Sequence, residues 1–242
     1  MPQTVRNDLN QLKIFIETYS LSGVASNPDY KVFLSRNHRK YLALLICISE
    51  FSSSGFTAVA SSRKLSGQSK IDMTNYTREA VSDLGCALFT WMHGCYKPTR
   101  LIIRSSIENF IRGVSVTEDP TIVNENNVYN LFDRASNLHL FTTEPSASIF
   151  HTLNSIYGQL CADVHTASNA HMQNISALNY FPAFDVRKAE INSRLFSNIC
   201  QQFLSVLCFC FRDVFFGMHP ENRDIILENL SQPVKEAIYN PE

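Results

Sequence analysis

The sequence predicts an all-α protein, a single bundle of about six to eight helices with a short N-terminal extension. Hydrophobic residues make up 45% of the 242 residues and charged residues 18%, which supplies enough apolar material for a core. The nine prolines are confined to a few places, and long segments with helix-forming residues and helical spacing run between them. Segments that alternate polar and apolar residues as paired strands do are lacking.

Eight helices follow from this spacing. We expect them over residues 8–20, 29–50, 75–95, 98–114, 123–137, 145–165, 186–216 and 220–239. Three of them begin near a proline (Pro98, Pro145 and Pro220), which the first helical turn tolerates. The whole chain, residues 1–242, is therefore expected to form one domain, with a core over about 29–217 and a C-terminal helix within 218–242.

Between these helices the sequence predicts turns and irregular segments. Asn27-Pro28 and Asp119-Pro120 are typical of turns. The serine- and glycine-rich stretch 52–69 predicts a loop or a short helix, within which residues 55–60 are the one candidate for a short strand. Residues 169–185 predict a second irregular segment.

The composition excludes several classes of protein. Lysine and arginine (21) nearly cancel aspartate and glutamate (22), so no overall field attracts nucleic acid or an anionic membrane. The seven cysteines form no C-x-x-C motif and favour a reducing compartment over a disulfide framework. The N-terminus lacks a secretory pattern, and the most hydrophobic segment, 195–216, is interrupted by polar residues. We therefore expect a cytoplasmic protein without membrane attachment. Because glycine-rich nucleotide motifs are missing, we expect no cofactor.

The segment RLIIRSSIENFIRGV, residues 100–114, carries the most informative local pattern. At 100° per residue, Arg104 and Glu108 lie inside the apolar arc of this helix and one turn apart, close enough to pair. Charges on a buried face are costly unless they are paired. One interpretation is an ion pair that fixes the register of the helix. The other is a cleft in which Glu108 acts as a base and Arg104 holds an anion.

A second helix, IFHTLNSIYGQLCADVH, carries the third candidate residue. His165 lies at one edge of its apolar stripe and Asp163 at the other, about 160° apart, so the two cannot form a dyad. His165 would face Arg104 and Glu108 if the two helices pack together, although a histidine at the end of such a stripe is commonly structural. A metal site of Asp163, His165 and His171 ranks last, because their spacing matches no established metal motif.

Two segments resemble bacterial HEPN-like helical proteins, particularly those of the abortive-infection type. They are FTWMHGCYKPTRLIIRSSIENFIRGV, residues 89–114, and YGQLCADVHT, residues 157–166, set in an all-helical chain. The resemblance covers about residues 75–166. It implies a helical bundle, often a homodimer, in which active members cut RNA without a metal by means of an arginine and a histidine spaced R-x4–6-H. His165 matches that histidine, but the arginine is missing from the residues before it.

The resemblance therefore leaves two functions open. The first is a phage-defence or toxin-type ribonuclease with Arg104, Glu108 and His165 as catalytic residues, Arg104 supplying the cation from the neighbouring helix. The second is a non-catalytic module that dimerises or binds a partner protein, as an accessory or regulator of a defence or toxin–antitoxin system. Phenylalanines spread around the helix predicted over residues 186–216 favour a central helix or a subunit interface.

Overall fold

The computed structural model of the protein describes residues 3–164, 175 and 177–240, and within this part of the chain it contains helices and no β-strand. The all-α prediction is therefore confirmed for these residues. The helices are α1 (Gln3–Thr18), α2 (Ser22–Ala25), α3 (Pro28–Glu50), α4 (Phe56–Ser62), α5 (Gly67–Met92), α6 (Tyr96–Ser115), α7 (Val128–Ser136), α8 (Ser146–Val164), α9 (Val186–Cys210), α10 (Arg212–Gly217), α11 (Pro220–Asn229) and α12 (Gln232–Tyr239).

Side-chain caps start several of these helices where the sequence changes to helical spacing. Oδ1 of Asn27 accepts from the backbone N–H of Asp29, at 2.9 Å, directly before α3. Oδ1 of Asn127 does the same for α7, and Oδ1 of Asp185 accepts from Lys188 N–H at the start of α9. Each cap satisfies a donor that the first helical turn leaves without a partner.

The core lies where α3 packs against α9 and where α5 and α6 form an antiparallel pair. The fully buried rings of Phe110 and Phe203 stack between α6 and α9, with centroids 3.8 Å apart. Trp91, near the end of α5, is 1% exposed and donates from Nε1 to the carbonyl of Ala189 on α9 at 3.0 Å. These contacts make α9 a central helix, which is one of the two alternatives that its phenylalanines left open.

One glycine allows α5 and α6 to approach closely, and another allows the sharp turn that connects them. A Cβ on Gly113 would lie 2.7 Å from Oγ1 of Thr77 on α5, so only a hydrogen fits there. Gly94, in the turn between the two helices, has a φ of +78°, a conformation that costs glycine little. The helix, short turn and second helix predicted over residues 89–114 are thereby confirmed.

The region between α3 and α5 was predicted wrongly. Residues 55–60 do not form a strand: Phe51–Gly55 make a π-helical turn and Phe56–Ser62 form α4. Phe56 and Val59, three residues apart, are both buried, which is a helical spacing. The predicted start of α5 at residue 75 was also wrong, because the Ser66 hydroxyl caps a helix that begins at Gly67.

Two predicted helices are interrupted. The helix predicted over 186–216 ends at Cys210, because Phe211 leaves the helical conformation and packs its ring edge-on against Phe51. The helix predicted over 220–239 ends at Asn229, since Leu230 is extended and Pro233 lacks the N–H that a continuing helix would use. The predicted single C-terminal helix is therefore two, α11 and α12.

Candidate functional site

The predicted pair on α6 forms. Nη2 of Arg104 lies 3.1 Å from Oε1 of Glu108, and the two side chains are 28% and 21% exposed. Both are half-buried, because they occupy the edge of the apolar face that packs α6 against α8. The pair is thus neither sealed in the core nor free in solvent, and part of each charged side chain is open to solvent.

Tyr157 on α8 bridges this pair. Its phenol donates to Oε1 of Glu108 at 2.8 Å and accepts from Nη2 of Arg104 at 2.7 Å. The Arg104 guanidinium also lies 5.1 Å from the centroid of the Tyr157 ring, within the range of a cation–π contact. The three side chains therefore form a closed triangle across two helices.

A second ion pair joins the same two helices farther along. Nε of Arg100, one turn before Arg104, lies 2.5 Å from Oδ2 of Asp163, which is 7% exposed. Since Arg100 contacts residue 163 while Glu108 contacts residue 157, α6 and α8 run antiparallel. We refer to Arg100, Arg104, Glu108, Tyr157 and Asp163 as the α6–α8 polar seam.

Burial and charge set the protonation states in this seam. Burial, reinforced by the hydrogen bond to Glu108, raises the pKa of Tyr157 well above 10, so the phenol is neutral at physiological pH. Burial lowers the pKa of Arg104, but contacts with Cys161, Glu108 and Tyr157 outweigh burial and raise it. Arg104 is therefore a permanent cation, and Tyr157 can donate a hydrogen bond but does not act as a base.

An open groove of about 510 Å³ lies beside the seam, between α7 and α8. Tyr157 and Cys161 form part of its α8 wall, and Phe132 forms part of its α7 wall. Tyr129 stands at the groove with 81% of its surface exposed. Gly158 also lines the groove, and a Cβ on this residue would meet nothing within 4 Å. We refer to this feature as the α7–α8 groove.

The third predicted catalytic residue, His165, lies outside the described residues, as does His171 of the metal hypothesis. Asp163, the remaining member of that hypothesis, is engaged by Arg100. Within residues 3–164, 175 and 177–240, no three His, Cys, Asp or Glu side chains are grouped closely enough to hold a metal ion.

The sequence reasoning missed two members of the seam. The ring of Tyr157 lies on the apolar stripe of its helix, and the stripe alone does not indicate that its hydroxyl reaches Glu108. Arg100 lies four residues before Arg104, so the helical spacing already placed both arginines on one side of α6. The sequence therefore contained a signal for the seam: two arginines one turn apart on α6, and an acidic residue, Asp163, near the end of α8.

The continuous helical stretch Pro28–Ser62 is long and apolar enough to cross a membrane by length and composition alone, with a mean hydropathy of 1.6 in its most apolar window. Of that window, 44% is buried inside the fold. A core helix of a soluble protein passes the same test, so the finding is weak evidence for a membrane span.

The fold and the seam together define an all-α helical-bundle protein with a partly exposed cluster of paired charges between two antiparallel helices. No model of a protein family, no curated protein and no solved structure matches the chain.

Proposed function

We propose that the chain is a HEPN-like effector of the phage-defence or toxin type, which binds RNA at the α6–α8 polar seam and cleaves it without a metal. The observation that supports this most is the position of two half-exposed arginines, Arg100 and Arg104, on one side of α6. Arg104 touches Tyr157, which lines the neighbouring groove. Arginine is well suited to phosphate, because its fork of donors matches the phosphate oxygens.

The groove adds a second element that RNA recognition uses. Single-stranded RNA is commonly held by aromatic side chains that stack on unpaired bases. Tyr129 is exposed over 81% of its surface at the α7–α8 groove, so its ring is open to an unpaired base. A base stacked on Tyr129 would lie in the groove that Tyr157 of the seam also lines.

The proposed reaction is attack of a ribose 2′-oxygen on the adjacent phosphorus. One of Glu108 and His165 takes the 2′-hydroxyl proton as the base; the bond from phosphorus to the 5′-oxygen breaks, and that oxygen takes a proton from the other residue, which acts as the acid. The products are a 2′,3′-cyclic phosphate and a free 5′-hydroxyl. Arg104 would stabilise the negative charge that builds on the phosphoryl oxygens. For Glu108 to act, Oε1 has to exchange at least one of its contacts with Arg104 and Tyr157.

The test is cleavage of a fluorescently labelled single-stranded RNA in the presence of EDTA. Arg104→Gln, Glu108→Gln and His165→Ala should each lower the rate at least 100-fold, the scale of a lost acid–base group or charge stabiliser. Arg194→Gln removes an exposed arginine on α9, 71% exposed, and serves as the matched control with an unchanged rate. Cleavage that survives His165→Ala would end the ribonuclease proposal.

A variant that fills the groove separates binding from chemistry. Gly158→Trp places a large side chain into open space in the α7–α8 groove without a clash of its Cβ. We expect this variant to weaken RNA binding in a fluorescence-anisotropy titration. Gly67→Trp, at another glycine whose Cβ meets nothing, should leave binding unchanged. Equal binding by both variants would exclude the groove as the RNA site.

A second candidate function is a non-catalytic module that dimerises. In this interpretation the contacts of the α6–α8 polar seam are structural. Glu108 and Arg104 already contact each other and Tyr157, and Asp163 pairs with Arg100, as in a structural network. Leu42 and Leu45, three residues apart on α3, are each 40% exposed and offer an apolar surface. If this candidate is correct, sedimentation will show a dimer that Leu42→Glu dissociates, and wild-type protein will not cleave RNA.

A further inference from the structure

A second cavity lies away from the seam, where the residues that precede α8, the end of α9 and α12 meet. It has a volume of about 680 Å³, and an adjoining cavity of about 670 Å³ extends from it toward α4. Four residues line both: Arg63, Phe209, Cys210 and Arg212. We refer to the two together as the Arg212 cavity. Each part is within the size range of sites for small organic ligands.

Arg212 places a half-buried positive charge at this cavity. It follows the break at Phe211 and begins α10, which turns its half-buried side chain to the cavity. Its Nε is sequestered from solvent and has no hydrogen-bond partner in the described part of the chain, where Arg212 also forms no ion pair. The guanidinium carbon of Arg212 lies 5.9 Å from the centroid of the Phe216 ring, an aromatic contact to its charge. A half-buried cation without an anion is costly.

Arg63, the second arginine in the cavity, already has hydrogen-bond and ion-pair partners. Nη1 of Arg63 pairs with Glu118 at 3.0 Å, and Nη2 donates to the carbonyl of Cys210 at 3.2 Å. Its guanidinium also lies 5.1 Å from the centroid of the Phe211 ring. Arg63 is therefore held in place as a fixed positive charge. Arg212, which forms no ion pair within the described residues, is the arginine available to a ligand.

Three carboxylates line the cavity, Glu144, Glu236 and Asp213, and none of them forms an ion pair with Arg212. Oε1 of Glu144 accepts from the hydroxyl of Ser148 at 2.9 Å, and Oε1 of Glu236 accepts from the side-chain amide of Gln232 at 2.9 Å. Each glutamate thus bonds a residue one helical turn away, and neither forms an ion pair with Arg212. Both residues are exposed at the rim, where water can solvate their charge.

We propose that the Arg212 cavity is a binding site for a small organic anion, in which a carboxylate or phosphate pairs with Arg212 and an apolar body fills the space beside it. Apolar side chains supply those walls: Leu140, Pro145, Phe209, Pro233 and Ala237. The guanidinium fork matches either anion in a two-point contact. Burial of its apolar part favours binding of the ligand, and the anion gives the half-buried Arg212 a charge partner.

The cavity binds and does not catalyse a thiol reaction. Burial raises the pKa of Cys210 to about 12, despite the nearby Arg63, so its thiol stays protonated at physiological pH. Its Sγ lies 3.7 Å from the carbonyl of Leu140, to which the thiol can donate. The site shares no residue with the α6–α8 polar seam or the α7–α8 groove, so the proposal stands or falls independently of RNA cleavage.

Isothermal titration calorimetry with simple probes tests the proposal. Phenyl phosphate and benzoate carry the two anionic groups on an apolar ring, and benzyl alcohol is the uncharged control. We expect saturable binding of at least one anion to the full-length protein, and none of benzyl alcohol at the same concentrations. Binding of phenyl phosphate alone would identify a phosphate ligand, and binding of benzoate alone a carboxylate. No saturable binding of either anion would overturn the proposal.

Variants locate the binding. Arg212→Gln should weaken binding of the anion at least tenfold, while Arg194→Gln, which removes an exposed arginine elsewhere, should leave it unchanged. Ala237→Phe narrows the cavity without changing its charge and should also weaken binding, which provides a second test if Arg212→Gln does not fold. Unchanged affinity in a folded Arg212→Gln or Ala237→Phe variant would show that the anion binds somewhere else.

Discussion

Arg100 and Asp163 are separated by 63 residues, yet Nε of the arginine lies 2.5 Å from Oδ2 of the aspartate. Together with the Tyr157 contacts, this pair fixes how α6 lies along α8. The arrangement gives each polar contact in the seam a measurable part in the stability of the bundle, and four predictions follow from it and from the packing around it.

Asp163→Asn should lower the free energy of unfolding by about 2–3 kcal/mol, because it leaves the half-buried Arg100 without its charge partner. Urea denaturation measures this change. The matched control is Glu190→Gln, which breaks an exposed pair with Arg194 and should cost less than about 0.5 kcal/mol. Equal losses in the two variants would show that burial of the Arg100–Asp163 pair contributes nothing.

Tyr157→Phe removes one hydroxyl that contacts two charged groups and keeps the ring in place. We expect a loss of about 1.5–3 kcal/mol in the free energy of unfolding, the range for hydrogen bonds to charged partners. Tyr30→Phe removes a hydroxyl that donates to the neutral carbonyl of Met92, and should cost about 1 kcal/mol. A smaller loss at Tyr157 than at Tyr30 would contradict the bridging role.

Two glycine-to-alanine changes should have opposite signs. Gly158 is in the interior of α8 with open space where a Cβ would be, so Gly158→Ala should stabilise the protein by about 0.5–1 kcal/mol. Gly113→Ala would bring a Cβ within 2.7 Å of Oγ1 and 2.9 Å of the backbone N of Thr77, and should destabilise by about 1–3 kcal/mol. Thermal unfolding measured on both variants would distinguish helix propensity from packing, and a stabilising Gly113→Ala would refute the close approach of α5 and α6.

Asp119 should make stability depend on pH. Burial raises the pKa of this carboxylate, but hydrogen bonds from Thr121 and Arg134 outweigh burial and hold the pKa below its ordinary value of 3.8. A pKa lowered by folding means that the carboxylate stabilises the protein above about pH 3.8 and that this contribution is lost as the pH falls through the folded-state value.

Urea denaturation at pH 7 and at pH 3 tests the prediction at Asp119. The stability difference between wild type and Asp119→Asn should be smaller at pH 3. Asp213→Asn, at an exposed aspartate, controls for the loss of one negative charge. A difference for Asp119→Asn that does not change with pH would show that the carboxylate is not stabilised by Arg134.

The sequence predicted the long helices well because their apolar spacing and their polar caps point to the same boundaries. The Arg104–Glu108 pair was predicted from the same geometry, since two charges one turn apart on an apolar arc have few other partners. The break at Phe211 could not be predicted, because it depends on a contact with Phe51, 160 positions earlier in the chain.

The rest of the site escaped prediction for a similar reason. Whether Tyr157 meets Glu108 depends on how far α8 is shifted along α6, and nothing within either helix sets that shift. The unpartnered charge of Arg212 was equally hidden, because it arises from the junction of α9, α10 and α12 rather than from a local pattern.

The burial of Trp91 gives this protein a built-in optical reporter. It is the single tryptophan of the chain, and it lies between Tyr30 of α3 and the Ala189 carbonyl of α9. Its emission therefore comes from one place, the junction of three helices, and should shift to longer wavelength when water reaches the indole. Unfolding of the wild type and of each variant can thus be followed in unlabelled protein with one fluorescence signal.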